Sequence, residues 1–122
     1  MTKRILVVED HEDNRRILRD LLRATGFELI EAHDGEAALE RVSSERFDLI
    51  LMDIQLPGID GYEVARRIRA GSANATTPII AVTSYALTGD EDKARLAGCT
   101  DYVSKPFRPR ELLAKIREYL PS

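Results

Sequence analysis

The stretch Phe47-Asp48-Leu49-Ile50-Leu51-Met52-Asp53 decides how the rest of this chain is read. Five of its seven residues are apolar. That is the composition of a strand buried on both faces in the middle of a parallel sheet, not of a strand with one wet face. Asp53 stands where this strand leaves the core. The segment that follows, Ile54-Gln55-Leu56-Pro57-Gly58-Ile59-Asp60-Gly61, is turn-rich and cannot continue it. Two readings of Asp53 are open here. It caps the next turn, or it occupies the carboxyl end of a central strand, where open α/β sheets gather their chemistry.

Working outward, Arg4-Ile5-Leu6-Val7-Val8 reads as a first strand that also ends in acid, Glu9-Asp10. A first-turn role suits Glu12 and Asp13; it suits Glu9 and Asp10 less well, because they finish a buried strand. Residues 13–25 read as a helix with Ile17, Leu18, Leu21 and Leu22 on one face and Arg15, Arg16, Arg19 and Arg23 on a solvated one. Gly26 stops it. A second strand follows over 27–32, with Glu28 and Glu31 as charges suited to a sheet edge. Asp34 caps a second helix running to about Ser44.

Beyond the central strand, Asp60-Gly61-Tyr62-Glu63 opens a third helix carrying Val64, Ala65 and Ile68, and residues 71–77 form a small, polar loop. Residues 78–82 make strand four, with Thr83 and Ser84 at its end. Thr88-Gly89-Asp90-Glu91 matches a capping box for helix four, closed by Gly98. Its apolar face is only Ala94 and Ala97 with Leu96, so it is the least firmly anchored helix. Asp101-Tyr102-Val103-Ser104 is strand five, and Pro109 starts helix five, with the face Leu112, Leu113, Ile116 and Leu120.

Strand and helix thus alternate five times, which calls for an α/β fold: a doubly wound, five-stranded parallel sheet of flavodoxin-like order 2-1-3-4-5 with five helices on two faces. That order sets Glu9 and Asp10 beside Asp53 and brings Thr83 and Lys105 from strands four and five.

The bounds agree. The chain has 122 residues, enough for one domain with a core, with 43% hydrophobic and 32% charged residues. A net charge of −3 gives no reason to expect nucleic acid. No apolar run reaches membrane-spanning length, and the N-terminus enters a strand without a cleavage-site pattern. Cys99 is alone, excludes an internal disulfide, and reads as a small buried filler; a reducing, cytoplasmic setting fits. His11 and His33 read as surface residues.

Three crowded carboxylates repel one another, so a cation must share the site or their pKa values must rise. Carboxylate and backbone oxygens suit Mg²⁺, and no His or Cys cluster argues for zinc. With Lys105 as a compact cation and Thr83 as a hydroxyl donor, the set is a receptor for a transferring phosphoryl group, with Asp53 as nucleophile.

Together, Glu9-Asp10, Asp53, Leu56-Pro57, Asp60-Gly61, Thr83 and Lys105-Pro106 resemble the receiver domain of two-component response regulators, over essentially the whole chain, 1–122, as a single domain. The resemblance is to the stand-alone chemotaxis and cell-division types; a receiver cut from a hybrid histidine kinase or a larger regulator is the alternative. It implies that Asp53 accepts a phosphoryl group from a phosphohistidine of a sensor kinase or phosphotransfer protein. Asp10, Asp53 and the main-chain oxygen of Gln55 would ligate Mg²⁺, with Glu9 acting through water. Lys105 and Thr83 would contact the phosphoryl group, and a cis peptide would precede Pro106.

Tyr102 matches the family's aromatic switch position; on its own pattern it is a half-buried strand residue with a wet hydroxyl. Helix one and the loop after strand five would meet the phosphodonor, with Arg15 or Arg16 as candidate contacts. Such a protein catalyses its own phosphorylation and dephosphorylation but is mainly a switch. It would act on a downstream protein effector through helix four, strand five and helix five, as a monomer or a phosphorylation-dependent dimer. Ser84 departs from the family's usual alanine, and Gln55 and Tyr85 fill its two variable positions. A phosphatase with an aspartyl nucleophile would want Asp where Gln55 stands. A flavin or nucleotide binder would want a phosphate-cradling loop where the chain is acidic.

Overall fold

The computed structural model describes residues 2–83 and 90–121, with side chains described at all of these except 90 and 91. Its elements alternate: β1 (Arg4–Val8), α1 (Glu12–Arg23), β2 (Glu28–Ala32), α2 (Gly35–Ser44), β3 (Leu49–Asp53), α3 (Gly61–Gly71), β4 (Ile79–Thr83), α4 (Asp90–Leu96), β5 (Asp101–Ser104) and α5 (Pro109–Tyr119). The five strands are parallel, in the order β2-β1-β3-β4-β5. The expected architecture is the observed one.

β3 is buried along its whole length, and its period of two feeds two cores. Leu49 and Leu51 face Leu18 and Leu22 of α1 and Leu112 and Ile116 of α5. Ile50 and Met52 face Ala38 and Val42 of α2, Val64 and Ile68 of α3, and Ala94 and Ala97 of α4. Truncating any of these large side chains to Ala costs about 2–5 kcal/mol. Because both faces are covered, polar groups of β3 find an outlet only at its ends.

Local signals act as expected at several points. The Asp34 carboxylate accepts from Ala37 N at 2.7 Å, and that of Asp60 from Glu63 N at 2.9 Å. Glu63 does not close a reciprocal box; it pairs with Arg66 and Arg67. Gly98 ends α4 with φ +105, a conformation that favours glycine. Pro109 stands in the first turn of α5, and the Lys105–Pro106 peptide is cis.

Apart from shifts of one or two residues at element ends, these details differ from the sequence reading. Gly71 completes α3 instead of starting the loop. Ile17 is 50% exposed: α1 touches the sheet along the line of Leu18 and Leu22, and Ile17 falls at its margin. Leu96 is 86% exposed, so among the described apolar side chains α4 is held by Ala94, with Ala97 just beyond its end. The arginines of α1 do not form a uniformly solvated face, because Arg15 is largely buried and ion-paired to Glu12 and Glu31. The Thr88–Glu91 capping box, Ser84 and Tyr85 lie outside the described residues or side chains.

Candidate functional site

Parallel order places the carboxyl ends of β1 and β3 side by side, with Val8 opposite Met52. Glu9 and Asp10 therefore emerge next to Asp53, and each of the three offers an oxygen within 4.8 Å of the others. Glu9 and Asp53 are almost fully buried. On the other flank, Asp53 pairs with Val82 and Thr83 follows it, itself buried and in register with Ser104. The residue just after β5 is Lys105, whose amide donates to Thr83 O at 2.7 Å. Its ammonium lies 3.1 Å from Glu9 Oε1 and 3.2 Å from Asp53 Oδ2.

The turn after β3 is pinned to the same carboxylate. Gln55 N–H donates to Asp53 Oδ1 at 3.0 Å, and Gly61 N–H donates to Ile54 O. A side chain at Gly61 would collide with this turn, since a Cβ there would come within 2.6 Å of Ile54 Cα. The open cleft above is lined by Asp10, Gln55, Pro57, Asp60, Tyr62 and Lys93.

The charges are not balanced. Burial raises the Asp53 pKa; the Gln55 amide opposes this, Glu9 adds to it, and Lys105 does not cancel it. Burial pushes Glu9 the same way, but the His11 amide, Lys105 and the Asn14 side chain outweigh it and hold Glu9 below its ordinary range. Lys105 would be lowered by burial, yet Asp53 and Glu9 raise it. Asp10 is the odd member: its Oδ1 is buried with no hydrogen-bond partner among the described residues. A buried carboxylate oxygen is costly to leave bare. Three acidic groups, one with an unpartnered oxygen, fit a hard divalent cation with oxygen ligands.

Glu9, Asp10, Asp53, Thr83 and Lys105 are thus all at one place, with the Gln55 backbone folded against them. Tyr102 lies half-buried on β5, opposite Ala81 and packed against the core on the α4 side. His11 is exposed, its imidazole 3.7 Å from Asp10. Sequence reasoning missed Asn14, and it gave Arg15 a different role; both reach back from α1 to Glu9. Their position in the first turn after an acidic strand end is the one signal that could have flagged them. Of the two candidate donor contacts, only Arg16 keeps its side chain mostly in solvent. Arg15 turns inward, its Nη1 donating to Glu9 O at 2.7 Å.

The comparisons with known proteins agree with this geometry. Residues 5–117 match the family described as the response regulator receiver domain. The chain is 42% identical over 120 residues to the polar-differentiation response regulator DivK of Brucella ovis, covering 98% of both chains. It superposes with a TM-score of 0.90 and 38% identity, covering 100% of each chain, on the receiver domain of sensor histidine kinase PA1611 from Pseudomonas aeruginosa PAO1, which holds a magnesium ion in its active site cleft. It also superposes, with a TM-score of 0.88 and 33% identity over 97% of this chain and 88% of the other, on a receiver domain from Saccharomyces cerevisiae. That domain belongs to the response regulator Ssk1 and is in complex with the histidine phosphotransfer protein Ypd1. With its strand order, its acidic cleft and these matches taken together, the chain belongs to the receiver-domain family of response regulators.

Proposed function

We propose that this protein is a phosphoacceptor switch of a two-component or phosphorelay system in which Asp53 is the nucleophile. The observation that carries the proposal is the bridging of Asp53 and Glu9 by Lys105 beside Asp10, whose Oδ1 is buried with no hydrogen-bond partner among the described residues. An Asp53 oxygen attacks the phosphorus of a phosphohistidine. The phosphorus–nitrogen bond breaks, and the imidazole nitrogen leaves with the electron pair and takes up a proton. Lys105 and Thr83 receive the phosphoryl oxygens as they approach, so catalysis is positioning and charge neutralisation. Asp10, Asp53 and the Gln55 main-chain oxygen would hold Mg²⁺, with Glu9 through water; when bound, the ion neutralises the carboxylates and the incoming phosphoryl charge.

The donor is a sensor histidine kinase or a histidine phosphotransfer protein. The Ypd1–Ssk1 complex supports this for a structural relative. An apolar groove beside Lys105, lined by Asn14, Ile17, Pro106, Phe107 and Pro109, gives a donor a place to dock and accounts for the exposure of Ile17. The output is a change in the α4–β5–α5 face, through Thr83 and then Tyr102, read by a protein effector or a second copy. The support is the slight anchoring of α4 on two alanines, with Leu96 exposed: an element with little buried surface is the one a few kcal/mol can move. No described helix is long and apolar enough to cross a membrane; a cytoplasmic setting is part of this reading.

The test is phosphoryl transfer from the phosphorylated histidine domain of a sensor kinase, followed by amide spectra of the product. Transfer to wild type but not to Asp53→Asn, with shifts reaching α4 and β5, is the expected result. Shifts confined to the surroundings of Asp53 would remove the switch.

A further inference from the structure

The acidic tip of β1 is held from behind. The last ladder bond of this strand runs from Glu9 N–H to Ala32 O at 3.0 Å. The Glu9 carbonyl takes its hydrogen bond from α1, where Arg15 Nη1 donates at 2.7 Å. The other arms of the same guanidinium are occupied as well: Nη2 lies 2.8 Å from Glu12 and Nε 3.3 Å from Glu31 on β2. The Arg15 side chain is only 16% exposed. This planar fork, anchored on two elements, grips the peptide that joins Glu9 to Asp10.

That peptide sets the direction in which the Glu9 and Asp10 side chains leave the backbone; the Glu9 carboxylate is held further by the His11 amide and Lys105. If it rotates, the Asp10 side chain swings away from Asp53. The buried oxygen of Asp10 has no hydrogen-bond partner among the described residues to hold it. The charges of Arg15 and Arg19 are together matched by Glu12 and Glu31, so the contribution of Arg15 is geometric and not a second counter-ion. We propose that Arg15 is a positioning residue of the cation site, fixing the Glu9–Asp10 peptide so that both carboxylates face Asp53. The inference rests on the reading of Asp10 and Asp53 as Mg²⁺ ligands.

The experiment is a calorimetric Mg²⁺ titration of the full chain as wild type, Asp10→Asn, Arg15→Met, Arg15→Lys and Arg19→Met, with urea unfolding of each in Mg²⁺-free buffer. Arg19 pairs with the same Glu12 and Glu31, so Arg19→Met makes the same charge change in the same cluster while leaving the Arg15 contact to the Glu9 carbonyl in place, and it reports a merely structural effect. Residues that orient metal ligands typically cost 10- to 100-fold in affinity when removed. Arg15→Met should weaken Mg²⁺ by about 10-fold and Arg15→Lys by less, while Arg19→Met loses stability and stays within about twofold of wild type. An Arg15→Met affinity equal to wild type, or an Arg19→Met loss as large, would overturn the inference. If Arg15→Met fails to fold, Arg15→Lys against Arg19→Met decides by the same criterion. A wild type that binds no Mg²⁺, or an Asp10→Asn variant that binds as well, brings down the site reading itself and the inference with it.

Discussion

The two ends of the sheet both bury polar side chains, and they treat them in opposite ways. At the amino end, Asn74 is fully buried. Its amide nitrogen donates to Val42 O and Glu45 O, and its amide oxygen accepts from Phe47 N and Thr77 Oγ1. Nearby, Arg69 donates to Gly98 O, Ala75 O, Thr77 O and Thr100 Oγ1. Those partners are neutral, and burial lowers the Arg69 pKa. At the carboxyl end, two of three clustered acidic groups share one ammonium, and one oxygen of the third has no partner among the described residues. The contrast separates structure from function. A closed hydrogen-bond account ties loops together, whereas an open one stores a demand that a ligand meets.

The largest effect should follow from opening the closed end. Asn74→Ala strips partners from the Phe47 amide and two carbonyls, and at about 1–3 kcal/mol per bared buried group it should lower stability by at least roughly 3 kcal/mol in urea unfolding. Phosphorylation of whatever fraction stays folded should be unaffected. A loss below about 1 kcal/mol would mean that water replaces the side chain and that the contrast is overdrawn.

The next effect comes from closing the open end. Mg²⁺ at about 100 times its dissociation constant should stabilise wild type by about 2.7 kcal/mol. Thermal unfolding of Asp10→Asn should show no such gain.

A smaller, pH-dependent effect separates Asp53 from Glu9 in Mg²⁺-free buffer. The Asp53 pKa is raised above its ordinary 3.8, so the folded state binds the proton more tightly than the unfolded one. The contribution of Asp53 is fullest below about 3.8 and is lost as pH rises through the raised value. Glu9, held low, behaves oppositely: its contribution is present above its ordinary 4.5 and is lost as pH falls. Asp53→Asn should therefore gain on wild type as pH rises from 4 to 7. A difference in stability that does not change with pH would show that Lys105 and the Gln55 amide fully neutralise the burial of Asp53.

The smallest effect concerns Cys99, at the closed end. Burial pushes its thiol up to about 11, and only 5% of the residue is exposed. Alkylation at pH 8 should proceed only at the rate of unfolding. Fast labelling of the native protein would show that this end opens on its own.

How much of this was legible in the sequence follows the same divide. Strand order and the meeting of Asp53 with Glu9, Asp10, Thr83 and Lys105 were readable, because unbroken apolar strands admit few topologies and acids at their ends stand out. Asn74 was not, because in a run of small polar residues it carries no periodicity; it is buried, with Thr77, within an otherwise partly exposed loop by contacts to residues far away in sequence. Ile17 was misplaced because helical spacing gives a face but not the width of the contact line. Arg15 was read as solvated because charge near a helix start usually is, and its target, a backbone carbonyl, leaves no mark in a sequence.

The most direct test of the central claim is the intact mass of the protein after incubation with phosphoramidate, a small donor with the same phosphorus–nitrogen bond as phosphohistidine, with and without Mg²⁺. The account predicts a single phosphoryl adduct that depends on Mg²⁺, is absent from Asp53→Asn, and maps to Asp53 after reductive trapping. An adduct that persists in Asp53→Asn, or that forms equally well without Mg²⁺, would contradict it.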